Sequence, residues 1–245
     1  MRKKGKGLSD FLKDPIGHVK EAFQPIPTKL NNISMKTIEE FGNYPVQSMF
    51  VMRTPLSNNL TGALNIVSSG EFNRLQKNAN IDQLYHVALV GSFNNTNIII
   101  EKNEVVNIAP FKKSDVTNNT EILRIKLSSN PSLIQLIANT LNFMGPQNFY
   151  DYDALGATNR GRNNCQDFVN AVLESNNLLT PDVYKFFYQD ISPITNELQN
   201  HVPIAVKAVT QTGSIVSRLI GKGKRNTKIP TQFIHFVEKN GFRFL

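Results

Sequence analysis

The sequence predicts an α+β domain built around an antiparallel β-meander. Three β-rich runs, 84–90, 97–101 and 104–108, follow one another with only short polar turns between them. Such short connections join antiparallel neighbours, because parallel strands need a long crossover. Two amphipathic helical runs come next, one ending at Gly145 and one beginning at Cys165. We therefore expect the meander to pack on the helix that starts with the only cysteine.

The composition is that of a folded protein with basic ends. The chain has 245 residues, of which 40% are apolar and 19% are charged, so there is enough apolar material for one sizeable core. The net charge is +8, and the excess lies within residues 2–6 and 222–228. We therefore divide the chain into a basic, proline-containing N-terminal arm (1–32), a folded domain (33–190) and a C-terminal region (191–245).

Cysteine content and hydropathy exclude several classes of protein. A single cysteine cannot form an internal disulfide, so a secreted disulfide scaffold is excluded. The basic N-terminus is not followed by the apolar core of a signal peptide, and no stretch has the roughly 18 apolar residues of a membrane span. We expect a protein that is cytoplasmic when it is synthesised.

The other elements follow from periodicity and from turn residues. Residues 49–51 are predicted to form a short buried strand, and the Thr54-Pro55 pair after it is typical of a helix start. Residues 122–127 alternate apolar and basic side chains, as in a strand with one wet face. Residues 130–145 carry apolar side chains every three or four positions, which predicts a helix. A polar loop then leads to the second helix.

Cys165 is the only thiol, and it lies at the predicted start of that helix. A thiol must lose its proton to attack a carbonyl well. The unpaired backbone N–H groups of a first helical turn stabilise negative charge, and those of Cys165 and Gln166 could also bind the oxyanion formed after attack. A lone cysteine is more often a small buried hydrophobe, so its position alone does not decide between the two roles.

His86 is the strongest candidate for a base among the four histidines, because it lies within an apolar strand. A rigid sheet can hold an imidazole against a thiol from another element. A catalytic imidazole also needs a polar group on its second nitrogen, and an antiparallel hairpin brings Glu101 to Asn103 beside His86. Asn107 is a further alternative, because the register cannot be read from sequence. A buried core histidine is the competing interpretation.

The run 163–167, which reads Asn-Asn-Cys-Gln-Asp, resembles the Asn-Cys box of the permuted NlpC-like papain-fold superfamily, whose members include lecithin:retinol acyltransferase. In that superfamily the histidine strand precedes the cysteine helix, and His86 precedes Cys165 here. The resemblance implies a circularly permuted papain-like domain with Glu101 or Asn103 as the third member of the site. The acyltransferases usually have a second histidine in that third place, and this chain does not.

The stretches around Arg53, His86, Glu101 and Cys165 also resemble proteins encoded by large DNA viruses, virophages and polinton-like elements. This resemblance implies a virus-associated cysteine hydrolase or acyltransferase that acts on an ester or amide of a lipid or a protein. Such chemistry needs no metal or organic cofactor. The alternative is a virion structural protein, a minor capsid or capsid-lining component, that uses the fold as a scaffold.

The C-terminal region predicts a contact surface. Residues 203–220 have the pattern of an amphipathic helix, which is followed by a basic run and a phenylalanine-rich end. Basic amphipathic helices pack on their own domain, on a partner or on a membrane surface. We therefore expect residues 203–245 to contact capsid proteins or a membrane. The basic ends predict only non-specific binding of nucleic acid, because no recognition motif accompanies them.

Overall fold

A computed structural model of the chain describes residues 30–56, 61, 65, 68–103, 105–112, 115–152 and 163–201. These residues form a mixed α+β structure with five strands and six helices. The strands are β1 (Val46–Pro55), β2 (Tyr85–Phe93), β3 (Thr96–Lys102), β4 (Val106–Pro110) and β5 (Glu121–Ile125). The helices are α1 (Asn32–Phe41), α2 (Glu71–Asn78), α3 (Leu133–Tyr150), α4 (Cys165–Ser175), α5 (Pro181–Phe187) and α6 (Ser192–His201).

The strands form one antiparallel sheet in the order β4-β3-β2-β1-β5. The predicted meander is therefore confirmed as β2-β3-β4, and β5 pairs with β1 at the opposite edge. The turn between β2 and β3 is Asn94-Asn95, whose φ angles are 48° and 60°. Asparagine tolerates this left-handed conformation, and a two-residue turn of this kind fits the twist of the strands on either side. The turn fixes the register of β2 against β3.

The prediction for Thr54 and Pro55 is wrong. They do not start a helix but are the last two residues of β1, where they pair with His86 and Tyr85 of β2. Proline lacks a backbone donor, so it is tolerated at a strand end, where the lost hydrogen bond matters least. The remainder of the helix predicted after Pro55 lies largely outside the described residues.

Helix α3 begins three residues later than the helix predicted at 130–145 and extends beyond its predicted end. It begins after the N-cap Ser132, whose side chain takes part in a capping box. At Gly145 the backbone leaves the helical conformation, with φ 74° and ψ 154°, a region that glycine reaches without strain. Helical structure resumes after Gly145 and continues to Tyr150, in a stretch that the sequence predicts to be a loop.

The larger core lies between one face of the sheet and helices α3 and α4. Phe168, Val169 and Val172 of α4 are fully buried there. Burying an apolar side chain of this kind stabilises the fold by about 1.5–3 kcal/mol. Their neighbours in the core include four apolar residues of β2 and β3, namely Val87, Leu89, Ile98 and Ile100. Helix α4, with Cys165 at its start, is therefore held firmly against the two central strands.

The described residues cover little of the predicted ends. Residues 1–29 and 202–245 lie outside them, and so do the amphipathic helix and the basic clusters predicted there. Helix α6, which falls in the region 191–245, packs on the domain through the buried Ile194 and Leu198. No helix in the described part of the chain is long and apolar enough to cross a membrane.

Candidate active site

Cys165 is the first residue of α4, as the sequence predicts. The helix starts here because Asn164 is its N-cap. The Asn164 side-chain oxygen accepts the backbone N–H groups of Gln166 (2.8 Å) and Asp167 (3.2 Å). The Asp167 carboxylate accepts the Asn164 N–H in return (3.0 Å), which completes a capping box. The position of Cys165 is thus set by bonds within its own short stretch of chain.

His86 on β2 lies against Glu101 on β3, with 2.8 Å between Nε2 of His86 and Oε2 of Glu101. The other carboxylate oxygen of Glu101 accepts a hydrogen bond from Nδ2 of Asn107 (2.9 Å), which lies directly opposite on β4. Side-chain exposure is 25% for His86 and 14% for Glu101. Three neighbouring strands therefore supply a line of polar groups in which Asn107 orients Glu101 and Glu101 orients the imidazole.

The structure separates the three alternatives for the orienting group. Glu101 contacts the imidazole directly, and Asn107 acts on it through Glu101. Asn103 lies in the turn after β3, where its backbone N–H donates to the carbonyl of Val105 (3.1 Å). Within the described ranges, no hydrogen bond joins the Asn103 side chain to His86.

The thiol of Cys165 is a hydrogen-bond partner of the His86 imidazole. Because Glu101 is bonded to Nε2, Nδ1 is the ring nitrogen that remains for a second partner. Burial alone would lower the pKa of His86, since it penalises the charged ring. The charge and hydrogen bond of Cys165, together with those of Glu101, outweigh this burial and raise the pKa of His86 to about 10. The site thus stabilises the imidazolium form of His86.

The two backbone donors predicted for an oxyanion are not equivalent. The N–H of Gln166 already donates to Asn164. The N–H of Cys165 makes no hydrogen bond to any residue that the structure describes. Of the two, only the Cys165 N–H is therefore ready to bind an oxyanion without breaking the helix cap.

Gln189, between α5 and α6, joins the two halves of the site. Its backbone N–H donates to Oε1 of Gln166 (2.8 Å), and its side-chain oxygen accepts the N–H of Tyr85 (3.3 Å). Gln189 therefore connects the residue after Cys165 with the residue before His86. Sequence reasoning missed Gln189, because nothing in its local pattern shows that its partners lie so far away in the chain.

Arg53 holds α5 against the same end of the sheet. Its guanidinium lies 4.7 Å from the ring centre of Tyr85 and 4.6 Å from that of Phe186. It also donates to the carbonyl of Phe186 (2.6 Å) and to the carboxylate of Glu121 (2.7 Å). Stacking and hydrogen bonding of one arginine to several partners fix the surroundings of the strand segment that carries His86.

A hollow of about 460 Å³ lies away from the dyad of Cys165 and His86. Its lining includes Gln47 and Ser48, at the start of β1, whereas His86 pairs with Thr54 near the end of that strand. The hollow is therefore at the opposite end of the sheet and is not part of this site. Cys165 itself is 7% exposed, so the dyad meets the surface mainly at the imidazole.

No set of three or more His, Cys, Asp or Glu residues in the described part of the chain is arranged to hold a metal ion. Comparisons with known proteins found no matching family model, no similar curated protein and no matching solved structure. The resemblance to permuted papain-like proteins therefore rests on the residues quoted from the sequence.

Proposed function

We propose that the chain is a cysteine hydrolase or acyltransferase with Cys165 as its nucleophile. One observation carries the proposal: the imidazole of His86 interacts both with the Cys165 thiol and with the Glu101 carboxylate, which lies 2.8 Å from Nε2. A nucleophile, a base and an orienting group in this order are the working parts of a triad. A histidine that only filled space in the core would not need both partners.

In the proposed reaction, the Cys165 thiolate attacks the carbonyl carbon of an ester or an amide. The carbonyl electron pair moves to the oxygen, which the Cys165 N–H binds. When the tetrahedral intermediate collapses, the bond to the alcohol or amine breaks, and His86 gives that group the proton from Nδ1. Water or another acceptor then attacks the thioester, returns a proton to His86 and releases the thiolate. Water as acceptor gives a hydrolase, and another acceptor gives an acyltransferase.

We further propose that the domain is a circularly permuted papain-like fold. The order of the elements supports this, since the strand that carries His86 precedes the helix that begins at Cys165. The antiparallel sheet also packs on that helix. The lipid or protein nature of the acyl substrate and the association with a virion stay predictions from the resemblance. The structural role in a virion depends on segments outside the described residues, and it also stays a prediction.

The experiment is labelling of the full chain with an acyloxymethyl ketone, an electrophile that resembles an acyl substrate. Because the chain has one cysteine, peptide mass spectrometry reports on Cys165 alone. We expect rapid labelling of the wild type and a rate at least about tenfold lower in His86→Ala, because loss of a base typically costs that much or more.

The control is Lys77→Met, at an exposed position of α2, which should label like the wild type. Labelling in denaturant should be equal for all variants, which shows that the thiol is intact in each. Equal labelling of folded wild type and folded His86→Ala would contradict the proposal.

A further inference from the structure

Lys102 is a fully buried lysine, with 0% of its surface exposed. Lysine is almost never buried completely unless its amine has partners. Here Nζ donates to the backbone carbonyl of Asn148 (2.5 Å) and to Oδ1 of Asn163 (2.9 Å). The proposed reaction does not use this amine, so its burial has another reason.

The partners of Lys102 form a bonded junction between two helices. The side chain of Asn163 donates to the carbonyls of Asn148 (2.5 Å) and Asp151 (3.0 Å), at the end of α3. Asn163 comes immediately before Asn164, the N-cap of α4. Lys102 is the last residue of β3. Its side chain therefore joins this strand to the end of α3 and to the stretch of chain that leads into Cys165.

Lys102 follows Glu101 on the same strand. The Glu101 side chain contacts His86, and the Lys102 side chain contacts Asn163, two residues before Cys165. One dipeptide of β3 thus bonds both to His86 and to the stretch of chain that leads into Cys165. We propose that Lys102 is a positioning residue, which holds the sulfur of Cys165 at its distance from His86 by anchoring Asn163. This inference rests on the function proposed above.

The surroundings of the amine fit such a role. Burial lowers the pKa of Lys102 to about 7, although Asp151 and Asp167 act in the opposite direction. The amine lies 5.9 Å from the ring centre of Phe168, on the apolar side of α4. A neutral amine has two N–H donors, and the two acceptors match them. A methionine would fill the same space without these bonds, so it separates the packing of the side chain from its hydrogen bonding.

The test compares Lys102→Met with Lys77→Met in the full chain. The rate of Cys165 alkylation by iodoacetamide is measured at pH 7, and the titration of His86 is followed by NMR. If Lys102 positions the sulfur, Lys102→Met should slow alkylation about tenfold and lower the pKa of His86, because a weaker contact with Cys165 stabilises the imidazolium less. Lys77→Met should change neither quantity.

A purely structural lysine would give a different result. The melting temperature of Lys102→Met would change, but the alkylation rate and the His86 titration of the folded protein would match the wild type. That result would overturn the inference. If wild-type labelling did not depend on His86 at all, the proposed function would fail instead, so the two failures are distinguishable.

A double-mutant cycle with Asn163→Ala covers the case in which Lys102→Met does not fold. Because Lys102 acts through Asn163, the single Asn163→Ala should slow alkylation by itself. The double variant, where it folds, should be no slower than the slower single variant. Unchanged alkylation in folded Asn163→Ala, or additive effects in the double variant, would contradict the inference.

Discussion

His86 keeps its proton because of the groups on either side of its ring. Burial favours the neutral imidazole, but Cys165 and Glu101 each favour the imidazolium, and together they prevail. Glu101 is itself held by Asn107, so its carboxylate cannot rotate away without losing a hydrogen bond. The chemistry of the site thus depends on one imidazole between two groups that carry or can acquire negative charge.

Replacing Glu101 tests the orienting contact. Glu101→Gln keeps the shape of the side chain but removes the charge beside Nε2 of His86. A hydrogen bond to a charged group contributes about 1.5–3 kcal/mol, so we expect Cys165 labelling to slow by about ten- to a hundredfold. The measurement is the labelling rate at neutral pH.

Asn103, two residues after Glu101 in the chain, is the control position for Glu101. Asn103→Ala should alter the labelling rate less than about twofold, because the Asn103 side chain has no hydrogen bond to His86 or Glu101 and lies in the turn after β3. If Asn103→Ala slowed labelling as much as Glu101→Gln, the orienting role would not belong to Glu101.

At the scale of elements, the start of α4 determines where the thiol lies. The cap Asn164 satisfies two backbone donors of the first turn, and Asp167 satisfies the donor of Asn164. None of the residues that the structure describes accepts the N–H of Cys165, so this donor can bind a ligand. The same three bonds that begin the helix therefore also decide which backbone group can bind an oxyanion.

Replacing the cap should weaken the fold and disturb the site. Asn164→Ala should lower the free energy of unfolding by about 0.5–2 kcal/mol, the usual cost of a lost N-cap. Asn164→Ser keeps an oxygen that can cap the helix, so it should lose much less. Urea unfolding measures both values, and equal destabilisation by serine and alanine would show that Asn164 does not act as a cap.

The sequence could predict Cys165 at a helix start and His86 in a strand, since both depend on local pattern. It left Glu101, Asn103 and Asn107 as alternatives, because the choice depends on a register set by the Asn94-Asn95 turn. Lys102 and Gln189 were missed for another reason. Lys102 bonds to Asn148, 46 residues away, and Gln189 bonds to Gln83, 106 residues away, and no local pattern reveals such pairs.

The helices and strands, like the site residues, could be predicted only where they depend on local sequence pattern. Three β-rich runs with short polar turns between them predicted the meander, and helical spacing predicted α3 and α4. Thr54-Pro55 was misassigned, because the pattern of a helix start is local while pairing with His86 and Tyr85 is not. Tertiary pairing decided the outcome there.

Across the whole molecule, the partly buried His86 and the buried Lys102 make stability depend on pH in opposite directions. The pKa of His86 is raised from 6.5 to about 10, so between these values only the folded state holds the proton. The contribution of protonated His86 to the free energy of unfolding is therefore complete below pH 6.5 and is lost as the pH rises through 10. The pKa of Lys102 is lowered from 10.5 to about 7, so only the unfolded state holds that proton, and stability rises from pH 7 to 10.5.

These opposite slopes predict how two variants should behave. In the wild type they largely cancel between about pH 7.5 and pH 9.5, since each bound proton contributes a slope of about 1.4 kcal/mol per pH unit. Relative to the wild type, Lys102→Met should lose stability as the pH rises, and His86→Ala should gain it. Urea unfolding across this range measures the difference. Parallel profiles for all three proteins would contradict the assignment of either group.

The most direct test of the dyad is an NMR titration of the His86 ring in the wild type and in Cys165→Ala. We predict that the wild-type ring stays protonated until about pH 10. In Cys165→Ala the favourable interactions with the sulfur are gone while burial persists, so the pKa of His86 should fall by several units. Titration at the same pH in both proteins would mean that the sulfur and the imidazole do not interact, and the proposed nucleophile would have no base.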